Sequence, residues 1–126
     1  MPMRISRRRF EEIALEAVRE LPDEFQEHVE GCVVAVERRA SREVMEKLGM
    51  PEDEELFGYY EGVALVDRHI DDLPGPPPTI TLYSEPLMAA CDSEEQLAGE
   101  IRITVLHEIA HHLGIDDARL EELGYA

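Results

Sequence analysis

The chain has 126 residues, 44% of them hydrophobic and 33% charged, with a formal net charge of −17. This is the length of one domain, 1–126, and the composition of a folded one, not of a disordered chain. No apolar run is long enough to span a membrane, and so acidic a balance excludes a nucleic-acid backbone as partner, since that binding needs clustered positive charge.

The N-terminus is basic at Arg4, Arg7, Arg8 and Arg9, like the start of a secretory signal. The following FEEIALEAVRE is studded with glutamates, where a signal would be unbroken and apolar. The expectation is a cytoplasmic protein whose two cysteines, Cys32 and Cys91, stay reduced. A first helix should run from about Arg7 to Glu20 behind an N-cap at Ser6. Phe10, Ile13, Ala14, Ala17, Val18 and Leu21 form its apolar stripe. Pro22 opens a short second helix through Glu30, stopped by Gly31. CVVAVE, Cys32 to Glu37, reads as a buried strand.

Ser41 should cap another short helix ending at Gly49. PEDEE, Pro51 to Glu55, reads as an acidic loop. YYEGVALVD, Tyr59 to Asp67, is rich in strand formers, and Gly62 within it marks a bulge or a close backbone approach. LPGPPP, Leu73 to Pro78, is a stiff loop. TITLY, Thr79 to Tyr83, alternates like a strand with one buried face. Ser84 and Pro86 start a helix leading to Cys91. Ser93 and Gln96 form a capping box for a long last helix carrying Leu97, Ile101, Val105 and Ile109, with Gly114 as its stop. The sum is an α+β chain with a small mixed sheet of three or four strands, packed against the long helix and the N-terminal helix.

The chemistry lies at the end of that last helix, in VLHEIAHHLGIDD. His107 and His111 are four apart, so a helix presents them on one face, one turn apart. Two imidazoles so placed can converge on a zinc ion. Glu108 falls beside that metal position, where a general base for the attacking water belongs. A catalytic zinc usually takes three protein ligands. After a reversal at Gly114, Asp117 is the favoured third, with Asp116, Glu121 and Glu122 as competitors. His112 sits about 100° around the helix from His111, which suits support of the site better than ligation.

HEIAHHLGIDD resembles the metzincin pattern HExxHxxGxxH/D, with Asp in the last position. More closely, the chain resembles the small zincin-like metallopeptidases of the Zincin_1 group, whose motif reads HExxHHxGxxD. The EGVAL segment, the TITLY strand, the doubled His111–His112 and the terminal GY share in the likeness. What it implies is a minimal zincin-like fold, with zinc held by His107, His111 and Asp117 and with Glu108 as the base. All five methionines precede the motif, so the methionine turn that metzincins place beneath the metal has no counterpart in this sequence.

The implied reaction is hydrolysis of a peptide bond in a peptide or protein substrate, through a Glu108-activated, zinc-bound water. An oxyanion needs a further stabiliser; the phenols available are Tyr83 and Tyr125, with Tyr59 and Tyr60 as further candidates. Substrate should lie extended along a sheet edge, with TITLY and YYEGVALVD as candidate edges. The alternative is a non-catalytic metal-binding or regulatory protein of the same fold. The residues leave the cleavage preference and the oligomeric state open.

Overall fold

The structure is a computed structural model in which residues 3–29, 31–51, 54–61 and 77–122 are described, the side chain of Asp117 excepted. Residues 62–67 of the YYEGVALVD stretch, Gly62 among them, residues 73–76 of the proline-rich loop, part of the acidic loop, and Tyr125 lie outside those residues.

Helix α1 spans Arg7–Arg19, and the Ser6 hydroxyl accepts the Arg9 N–H as its cap. Helix α2 spans Asp23–Val29. Strand β1 is Val33–Glu37. Helix α3, Arg42–Lys47, is capped by Ser41 through the Val44 N–H. Strands β2 and β3 are Gly58–Glu61 and Thr79–Tyr83. Helix α4 is Ser84–Ala89, and α5, the longest, is Glu94–His112. The Ser93 hydroxyl takes the Gln96 N–H and the Gln96 side chain takes the Asp92 N–H, so both residues of the expected capping box cap the start of α5. Beyond α3 and α5 the chain turns at Gly49, φ 68°, and at Gly114, φ 80°. Both angles lie in the left-handed region that glycine enters without penalty.

A helix that the sequence reading left out follows directly. Helix α6, Asp117–Glu122, begins three residues after Gly114. The Asp116 carboxylate accepts the Arg119 N–H at 2.8 Å, in the manner of an N-cap.

The sheet order is β1-β3-β2. β1 and β3 are parallel, with Val33 beside Thr79, and β2 and β3 are antiparallel, with Tyr60 beside Ile80. The order corrects one expectation. TITLY is the central strand, bonded on both sides, so it offers no edge to a substrate. Its main-chain groups are used up by its neighbours.

Val36, Tyr60, Ile80 and Leu82 are buried in the core shared with α1 and α5. Helix α5 brings Leu97, Ile101, Val105 and Ile109, all fully buried, at the four-residue spacing read from the sequence. α1 brings Phe10, Ile13, Ala14 and Ala17. Arg9 near the start of α1 binds Glu94 at the start of α5, and Glu20 beyond α1 binds Arg102 farther along α5. The two helices therefore run side by side in the same direction. Both pairs are exposed and add little stability; the apolar seam carries the packing. Among the described residues no helix is long and apolar enough to cross a membrane. Cys32 and Cys91 share no disulfide.

Candidate metal centre

The last two turns of α5 carry His107, Glu108, His111 and His112. The helix reaches them unbroken because its first turn is capped and its apolar face is anchored on the core along its whole length. The opposite side of its last turns is then left toward solvent: His111 is exposed, and His107, Glu108 and His112 are half-buried. The His107 and His111 rings stand 6.1 Å apart between centroids, edge to face.

Two imidazoles on one tetrahedral zinc have centroids about 5 Å apart. The observed separation is about 1 Å longer than that, so a shift of the exposed His111 side chain would be needed to bring both imidazoles onto one ion. Among the described residues no three His, Cys, Asp or Glu side chains gather into one metal-holding group. Asp117, whose side chain is among those not described, begins α6 at the turn just beyond Gly114. Of its competitors, Asp116 is engaged in capping α6 and Glu122 is paired with Arg119.

Glu108 is positioned by the sheet. Its Oε2 accepts the backbone N–H of Tyr60 at 3.2 Å. In an antiparallel pair, alternate residues turn their main-chain groups toward and away from the neighbouring strand. The Tyr83 N–H bonds to the Phe57 carbonyl, so Phe57 and Tyr59 face β3 while Gly58 and Tyr60 face outward. The Tyr60 N–H is therefore an outward group of β2, and Glu108 takes it. Burial pushes the Glu108 carboxyl above its ordinary value, while the Tyr60 N–H and the imidazoles of His111, His112 and His107 pull the other way. The balance leaves a carboxylate that is desolvated and readier to hold a proton, as a general base requires.

His112 lies against the Tyr60 ring, with centroids 3.9 Å apart and planes at 46°. Tyr60 thus touches the motif helix twice, by main chain at Glu108 and by ring at His112. In the sequence Tyr60 is one phenol among four, and nothing local in YY marks its backbone as a partner of a residue 48 positions away. Tyr83 is buried at the end of β3, and its phenol is pushed above its ordinary value by burial first and then by the carboxylates around it. Tyr59 is half-buried on the other face of β2, with the Lys47 ammonium 5.9 Å from its ring centre.

The family described as zincin-like metallopeptidase matches residues 29–125, which include every residue of this centre. No curated protein matches the chain. Its fold is similar to that of a conserved hypothetical protein from Thermus thermophilus, with a TM-score of 0.54 and 21% identity over 86% of this chain and 94% of that one.

Proposed function

We propose, since the chain belongs to the zincin-like metallopeptidase family, that it is a zinc-dependent peptidase with Glu108 as its general base. The observation that carries this reading is the setting of Glu108: half-buried, hydrogen-bonded to the outward N–H of β2, and flanked in sequence by two imidazoles one helical turn apart.

His107, His111 and Asp117 would hold the ion. Bound there, zinc supplies a Lewis acid that polarises the scissile carbonyl and makes water a nucleophile near neutral pH. Glu108 takes the proton from the attacking water and hands it to the leaving amine. Its Oε2 is fixed by Tyr60, which leaves Oε1 as the atom that carries the proton. His112, packed on Tyr60, steadies the turn that bears His111. A peptide substrate fits the site better than a small molecule. Among the described residues β2, which lies beside the motif helix, has a strand neighbour on one side only, and extended peptides bind by adding to such edges.

The test is mass-spectrometric analysis of a diverse peptide library treated with zinc-loaded protein, beside Glu108→Ala. Cleavage that disappears in the variant, with zinc content unchanged, supports the peptidase. Equal cleavage by both proteins, or none by fully metallated wild type, rejects it.

A second reading draws on the same contact. The Glu108–Tyr60 bond ties helix to sheet, as it would in a non-catalytic metal-binding module. That reading predicts that stripping the metal unfolds the domain, because a structural ion contributes folding energy directly.

A further inference from the structure

The Tyr60 partner in the bond to Glu108 is a main-chain N–H, so no substitution of Tyr60 other than proline removes the donor. What sets it is how closely β2 and α5 approach. Gly58 and Tyr60 are two residues apart on the strand, an advance of about 6.8 Å. Thr104 and Glu108 are four apart on the helix, an advance of about 6 Å. The two spacings match, so strand and helix meet at two successive points. At one, Glu108 takes the Tyr60 N–H. At the other, Gly58 meets Thr104.

That second meeting leaves no room for a side chain. A Cβ at Gly58 would lie 2.7 Å from Thr104 Cγ2 and 3.3 Å from the Thr81 carbonyl oxygen. Thr104 cannot readily turn its methyl aside, because its hydroxyl donates to the Glu100 carbonyl at 2.8 Å. β-Branched side chains are stiff at χ1 in a helix.

We infer that Gly58 and Thr104 are positioning residues for Glu108: the missing side chain at one and the fixed methyl of the other set the distance at which the carboxylate meets the Tyr60 N–H. This rests on the reading of Glu108 as the base, but it can be tested without activity. A methyl group at Gly58 would lever α5 away from β2 one turn before Glu108. Misplacement by about 1 Å at a reacting group can cost on the order of a hundredfold in rate.

The experiment follows the Tyr60 amide by proton–nitrogen NMR in wild type, Glu108→Ala, Gly58→Ala and the double variant Gly58→Ala/Thr104→Ser. The serine keeps the hydroxyl and deletes the methyl. In wild type the amide resonates downfield, as a donor to a carboxylate does. It should move upfield in Glu108→Ala and in Gly58→Ala, and return in the double variant. Peptide cleavage should follow the same order: kcat falls by roughly tenfold to a hundredfold in Gly58→Ala, KM and bound zinc barely change, and Thr104→Ser restores the rate.

A Tyr60 amide that Gly58→Ala leaves unmoved overturns the inference. So does a double variant as impaired as the single one. If Gly58→Ala does not fold while the double variant folds and regains the amide shift, the same clash has shown itself more strongly. Wild type that cleaves nothing, yet shows the full amide pattern, sinks the peptidase reading and leaves the positioning of Glu108 established.

Discussion

The backbone N–H of Tyr60 donates to Oε2 of Glu108 across 3.2 Å, so the one carboxylate inside the HExxH motif is held by a strand and not by a side chain. A main-chain donor cannot swing away, and it fixes one oxygen while leaving the other for chemistry. The arrangement has a thermodynamic cost, because Glu108 is partly withdrawn from water.

That cost gives a pH-dependent prediction. Burial raises the Glu108 carboxyl above its ordinary value of 4.5. A carboxyl raised in the folded chain contributes stability that is full below the unfolded value and is lost as pH rises through the folded one. In metal-stripped protein, Glu108→Gln should therefore raise the urea midpoint above wild type at about pH 8 and leave it unchanged at about pH 4. Urea titrations of both proteins across that range decide it. A variant no more stable than wild type at the upper end would mean that the carboxylate is not penalised by its setting.

The imidazoles should separate by role. His107→Ala and His111→Ala each remove a proposed ligand, and zinc measured by competition with a chelator should fall below stoichiometric occupancy. His112→Ala leaves both ligands in place and removes the ring packed on Tyr60. Its zinc stoichiometry should hold while affinity drops by about tenfold to a hundredfold. Equal losses for all three would place His112 among the ligands.

The two adjacent aspartates should separate as well. Asp116 caps α6 through the Arg119 N–H, so Asp116→Ala should lower stability by about 1 kcal/mol and leave zinc affinity unchanged. Asp117→Ala should do the reverse and weaken zinc binding. Denaturant melts and metal titrations of the two variants test the pair. Full occupancy in Asp117→Ala removes it from the ligand set.

The seam between α1 and α5 carries the motif helix. Ile101 is fully buried there, and Ile101→Ala should cost about 2–5 kcal/mol in denaturant unfolding. Ile103, on the solvent side of the same helix and 48% exposed, should tolerate alanine within about 0.5 kcal/mol. Similar losses at both positions would contradict this orientation of α5.

Much of this could be read from the chain because the signals are local. Ser6, Ser41 and Ser93 cap the helices they precede, and Gly49 and Gly114 end two of them. The four-residue rhythm of Leu97, Ile101, Val105 and Ile109 marked the buried face of α5, and His107 with His111 fell on successive turns beyond it. What stayed hidden is long-range. TITLY was legible as a strand, but its central place depends on pairing with residues far away in both directions. The Tyr60–Glu108 bond and the Gly58–Thr104 contact join elements that share no local pattern. Helix α6 did carry a local cue, Asp116 three residues before Arg119, in a stretch otherwise read for metal donors.

The outward N–H of Tyr60 has one more consequence. An unpaired main-chain donor at a strand edge invites any extended chain to bond there, including another copy of the same protein. Here the donor already has an acceptor, and that acceptor carries a negative charge. A strand pairing at Tyr60 itself would have to displace Glu108, so the carboxylate proposed for catalysis closes that one point of the strand and leaves an extended chain only the neighbouring outward groups, such as those of Gly58.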